Sequence, residues 1–220
     1  MMMRENNILS FLNMLAVNND REWFALHKDE YLKAKSEMEL LVSELIGNLG
    51  QYDHSIATQE AKNCLFRIYR DIRFSKNKDP YKTNMGAYVV PGGKKSGRAG
   101  YYIHLEPGAS FLAGGIHRPD LQTLNAVRQE IVYHTDEFLS LLDNKEFQTT
   151  FGSIYGEKLK RPPKGFSPEF KEIELLKYKS FAVVSPISDE LINSGIFIQE
   201  IIKVFRLTTP LNAFINRVFD

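Results

Sequence analysis

The chain has 220 residues, of which 43% are hydrophobic, 12% aromatic and 25% charged; this composition excludes disordered, collagen-like and coiled-coil classes and points to a single domain over residues 1–220. With 28 Lys and Arg against 27 Asp and Glu, the net charge is +1, so the molecule as a whole offers no attraction to nucleic acid or anionic lipid, and any such attraction must be local. The lone Cys64 excludes an internal disulfide, no apolar run reaches the roughly 18 residues of a membrane span, and MMMRENN lacks the parts of a signal peptide, so the expectation is a cytoplasmic protein without membrane contact.

The apolar spacing of Ile8, Phe11, Leu12 and Leu15 predicts an opening helix. Asn19, with Glu22 three residues on, reads as the cap of a second helix, whose apolar series from Trp23 to Leu49 stops at Gly50. At ~1.5 Å per residue that helix would be long enough to cross a whole sheet face. From Leu65 to Phe74 the period changes to two, as in a strand with one face on a core. Further strands are expected at Ala87–Val90, Tyr101–Leu105 and Phe111–Ile116, joined by Gly- and Pro-rich turns in an antiparallel meander, with the glycines at 114 and 115 marking a bulge or a close backbone approach.

Pro119 then opens a helix carrying Leu121, Leu124, Val127 and Ile131, and Thr135 caps another. The stretch LKRPPKGFSP reads as an extended surface loop. A short strand follows at Phe181–Val184, and two closing helices are expected around Ile196–Phe205 and Leu211–Val218, the latter capped by Thr209 with Pro210 at its first position. The fold class is α+β: a central antiparallel β-meander packed by a long N-terminal helix and C-terminal helices.

Charge is distributed unevenly. Residues 62–98 carry ten basic and two acidic side chains, an excess of +8, which leaves −7 for the rest. Arg70 shares its alternation face with Phe66, Ile68, Ile72 and Phe74, so it should point at the core, where a guanidinium requires an internal carboxylate, several carbonyls, an anionic ligand or a route to water at the sheet rim. The loop from Ser75 to Asn84 adds three lysines, hydroxyls, amides and a rigid proline. These residue types surround oxyanions: lysines supply point charge, and an arginine supplies a two-pronged contact. Arg70, Arg73, Lys76, Lys78 and Lys82, walled by Tyr81, therefore form the candidate binding set. The same loop also fits a solvated basic connection or a grip on a nucleic-acid phosphate backbone.

Pro91 to Gly97 lacks the spacing of a phosphate loop and reads as a hairpin turn that adds field through Lys94, Lys95 and Arg98. His104 and Glu106 share a strand face and are the candidate catalytic acid–base pair. With His117 they have the composition of a metal triad, but pairing His104 with Ala113 leaves His117 about 13 Å away along its strand, so no metal is assigned. No cofactor motif is present. Cys64, among apolar neighbours, reads as an inert buried thiol. Trp23, Tyr101, Tyr102 and Phe111 offer a secondary possibility of base stacking.

The segments NNDREWFALHKDEY, FRIYRDIRFSKNKDPYKTNMGAYVVPGGKKSGRAGYYIHLEPG and LLKYKSFAVVSPISDE together resemble domain of unknown function 2461 nearly end to end. Asn77 stands where many members carry Asp. The resemblance implies a one-domain soluble protein found mainly in bacteria, and it brings no activity, cofactor or catalytic residue with it. The functional expectation from the residues is binding of a phosphate- or carboxylate-bearing ligand at the basic strand and loop. The alternatives are nucleic-acid backbone binding, an enzyme using His104 and Glu106, or an interaction protein whose basic stripe docks an acidic partner or a second copy.

Overall fold

The computed structural model describes residues 7–220. Helices α1 (Asn7–Val17), α2 (Arg21–Leu26), α3 (Lys28–Leu49) and α4 (Ala61–Cys64) precede three strands, β1 (Met85–Val89), β2 (Gly100–Leu105) and β3 (Phe111–Ile116). Helices α5 (Leu121–Tyr133), α6 (Thr135–Leu142), α7 (Lys145–Phe151) and α8 (Ile173–Leu176) lead to β4 (Phe181–Pro186), α9 (Asp189–Ile192) and α10 (Phe197–Asn216). The four strands form one antiparallel sheet in chain order, and the architecture is the α+β meander that strands joined by short turns imply.

Alternation divides the sheet into a packed face, which carries both core clusters, and an open one. Ala87, Val89, Tyr101, Ile103, Leu105 and Leu112 point to a core shared with α1, α3 and the first half of α10. Ile116, Phe181 and Val183 meet a second cluster built from α5, α6, α7 and the end of α10. α10 therefore underlies the sheet and joins both clusters. Gly114 permits its close approach, because a Cβ there would lie 2.4 Å from the Thr208 Cβ. At Gly115, φ is +102° and its N–H donates to the Asn212 side chain at 2.7 Å, a backbone position suited to glycine.

Four local expectations are corrected. Asp20 rather than Asn19 caps α2, accepting from the amides of Glu22 and Trp23 at 2.9 Å each. The long helix is broken at His27, whose backbone N–H and ring Nδ1 both lie against the Trp23 carbonyl while the ring stacks on the indole. Thr135 is the first residue of α6 rather than its cap, because its hydroxyl turns back to the Ile131 carbonyl. The two closing helices are one, with Pro210 inside α10; the missing proline N–H is outweighed by the apolar stripe that α10 lays across both clusters.

The fifth correction bears on function: Leu65–Phe74 is not a strand. It makes isolated bridges only, Leu65 with Ala87 and Tyr69 with Tyr81. Of its alternating apolar residues Ile68 alone is fully buried, while Phe66 is 44% and Phe74 95% exposed. The chain pairs with itself instead, Arg70 N–H to the Pro80 carbonyl and Lys82 N–H to the Ile68 carbonyl. Asn19 clamps this loop, its amide exchanging hydrogen bonds of 3.1 Å with the backbone of Tyr81.

Candidate functional site

The face of the sheet turned away from α10 is the floor of a cleft of about 790 Å³, a volume typical of small-molecule sites. Register puts Gly86, Gly100, Ala113, Gly115 and Ala182 on this face, so the floor is low. Between them stand Tyr88, Tyr102, His104 and Phe111. Tyr88 reaches across the sheet to donate to the Arg98 carbonyl at 2.8 Å, and burial pushes its hydroxyl pKa up. An antiparallel sheet with one free face ordinarily turns polar side chains to water; this one turns glycine, alanine and aromatic rings toward an enclosed space.

The rim beside β1 is cationic. Arg67, Lys82 and Lys94 line it around Phe66, whose ring lies 5.7 Å from the Lys82 Nζ and 5.1 Å from the Lys94 Nζ. Lys94 also donates to the Leu65 carbonyl. Among the described residues no carboxylate pairs with Arg67, Lys82 or Lys94. Burial, then the charges of Arg67 and Lys94, lower the pKa of Lys82; burial also lowers that of Lys94. At the other strand ends the cations are paired: Arg98 binds Asp220 at 3.2 Å, and Arg118 lies 3.7 Å from Glu157.

The basic loop itself does not join the cleft. Arg70, expected to face the core, lies at the surface loop with 26% of its side chain exposed, donating to the Asp79 carbonyl and the Ser75 hydroxyl at 3.3 Å each, 3.9 Å from the Asp79 carboxylate. The reason is the loss of the strand: no core face exists there for a guanidinium to enter. Arg73 forks onto Asp71 at 2.9 and 2.7 Å. Lys78 donates to the Ile72 carbonyl at 3.1 Å, and Lys76 is exposed. Tyr81 is buried, stacked on Phe24 at 3.9 Å. Of the six expected binding residues, Lys82 alone lines the cleft.

The expected His104–Glu106 pair is brought together, with Nε2 to Oε2 at 3.1 Å. Its register differs from expectation: His104 lies opposite Phe111 rather than Ala113, and the two rings stack at 4.5 Å. Tyr102 and Thr83 extend the pair. The Tyr102 hydroxyl is 2.9 Å from His104 Nδ1, and the Thr83 hydroxyl donates to Glu106 Oε1 at 2.8 Å. Burial first, and the Glu106 charge second, push the Tyr102 pKa up to about 12. Among the described residues no three His, Cys, Asp or Glu side chains are placed to hold a metal ion. Trp23 packs against Phe11 and His27, and Tyr101 is buried; Tyr102 and Phe111 are the two proposed stacking residues that face the cleft.

The sequence contains a signal for what was missed. Tyr102 and His104 alternate on one strand face, with Glu106 two residues on, and each has one small residue across from it, Ala113 opposite Tyr102 and Gly86 opposite His104. The model of the family described as conserved hypothetical protein (DUF2461) matches residues 7–214. The chain belongs to this family. No curated protein and no solved structure matches it. In this DUF2461 member, function is argued from the cleft.

Proposed function

We propose that the protein binds a small anionic molecule in the cleft, with a phosphate or carboxylate held by Arg67, Lys82 and Lys94 and the remainder of the ligand lying on the floor of small residues and rings. The observation that carries this reading is the contrast between two sets of cations. Those of the 70–79 loop are held by carboxylates and carbonyls of their own loop or face water, whereas Arg67, Lys82 and Lys94 converge at the β1 rim beside the cleft with no carboxylate in ion-pair contact, Lys94 resting on a backbone carbonyl and Arg67 feeling Asp71 only from beyond contact distance. Like charges held together in a partly desolvated place favour an anion between them. The apolar floor supports a ligand with a body rather than a bare ion.

Calorimetric titration with inorganic phosphate tests the reading. Wild type binds, Lys82→Gln/Lys94→Gln binds at least ~10-fold more weakly, since each charged hydrogen bond contributes about 1.5–3 kcal/mol, and Arg73→Gln binds as wild type does. Absence of binding by wild type, or equal loss in Arg73→Gln, contradicts it. The nucleic-acid alternative predicts instead that a single-stranded oligonucleotide binds with an affinity falling steeply with log salt.

A further inference from the structure

The polar chain on the cleft floor has a direction, and its far end sets it. A carboxylate at Glu106 has only acceptors; it takes the Thr83 hydroxyl proton at one oxygen and faces His104 Nε2 with the other. A neutral His104 must therefore carry its proton on Nε2, which leaves Nδ1 as an acceptor 2.9 Å from the Tyr102 hydroxyl. Tyr102 consequently points its own proton at His104 and presents the lone pairs of Oη to the cleft. Burial and the Glu106 charge raise its pKa and so keep the phenol protonated.

The surroundings hold this arrangement fixed. The groups that face His104 from neighbouring strands are not titratable: Gly86 on β1 and the stacked Phe111 ring on β3. On its own strand the titratable neighbours are Tyr102 and Glu106. Gly86 is part of the device, because a Cβ there would sit 2.7 Å from Tyr102 Oη. The Phe66 ring, which carries the rim cations, meets the Tyr102 ring edge-on at 6.0 Å. The proton acceptor and the anion rim thus open on one space.

We propose that the cleft hydrolyses phosphoric esters, with the Tyr102 hydroxyl as the catalytic group that touches the attacking water and relays its proton to His104, and with Glu106 as the positioning residue behind them; this rests on the anion-binding reading above. A water held at Tyr102 Oη forms a bond to phosphorus. Its proton passes to Oη as the Tyr102 proton passes to His104 Nδ1, leaving an imidazolium against the Glu106 carboxylate. The phosphorus–oxygen bond to the leaving group breaks, and its electron pair departs with that oxygen. The departing alkoxide takes a proton from solvent, and the imidazolium gives its proton back through Tyr102 to water, so that ester and water become alcohol and phosphate and the relay is restored. Three rim cations suit the charge that gathers on the peripheral oxygens of a phosphoryl group. A carboxylic ester, uncharged before reaction, would leave them unneutralised.

The test follows p-nitrophenolate release from bis(p-nitrophenyl) phosphate and p-nitrophenyl phosphate, alongside direct binding of inorganic phosphate to the same preparations. Wild type turns over at least one ester. Tyr102→Phe binds phosphate as wild type does and loses ~10²–10⁴-fold in rate, the range for one general base. His104→Gln retains a donor for Glu106 and an acceptor for Tyr102 but cannot take a proton; it loses rate and regains part of it with added imidazole. Phosphate binding by wild type with neither ester hydrolysed overturns the hydrolytic proposal and leaves the binding reading standing, as does Tyr102→Phe with undiminished rate. Failure of wild type to bind phosphate removes both.

Discussion

At Gly86, what matters is the absence of a side chain. The Tyr102 ring leans over β1 into the space a methyl group would fill, and its hydroxyl reaches His104 only from there. Gly86→Ala should leave the fold intact at a cost of about 1 kcal/mol in denaturant unfolding and move Tyr102 off His104. Ester hydrolysis should then fall ~10²-fold or more with phosphate affinity retained; an alanine variant of undiminished rate would show that the hydroxyl position is irrelevant. Arg128 makes the complementary point about reading single residues. The inward-facing guanidinium expected at Arg70 occurs instead on α5, where Arg128 is buried and held by the Tyr178 carbonyl and the Asn125 side chain. It falls four residues after Leu124 on the stripe that packs α5, so helical spacing locates it. Strand spacing at Arg70 misled because apolar alternation does not itself supply a partner strand.

Among the elements, β1, β2 and β3 were legible because each is a short apolar run bounded by turn residues, while the register of the β2–β3 hairpin was displaced because the loop geometry after Glu106 fixes it. α10 was read as two helices because proline is a strong local signal, and the long-range packing of Thr208 on Gly114 is invisible to local spacing. The start of α5 was legible from Pro119, and the residue after it supplies the cap: Asp120 accepts from the Thr123 amide at 2.8 Å. Those hydrogen bonds hold the Asp120 carboxyl below its ordinary pKa. A carboxyl whose folded pKa is depressed contributes stability that is complete above its unfolded value, near 3.9, and is lost as pH falls through the folded value. Asp120→Ala should therefore be less stable than wild type at neutral pH, and the difference should shrink as unfolding is followed down into the acid range. A constant difference at every pH would contradict the capping account.

On the scale of the whole molecule, composition revealed a concentration of positive charge, and the fold decides which part of it remains unpaired. The 70–79 loop carries its own compensation in Asp71, Asp79 and free carbonyls, whereas Arg67, Lys82 and Lys94 come together from segments that the chain brings side by side over β1. Each of these three was visible as a cation; their convergence depends on the loop clamp at Asn19 and on the turn after β1, neither of which has a periodicity to read. Among the described residues no helix is long and apolar enough to cross a membrane, and the free face of the sheet unites charge, rings and an ordered polar chain in one recess. The account therefore stands on where an anion settles. Backbone amide shifts followed during titration with inorganic phosphate measure this directly: the largest changes should fall at Lys82, Gly86, Lys94 and Tyr102, with residues 70–79 little moved. Changes centred on residues 70–79, with the β1 rim silent, would contradict it.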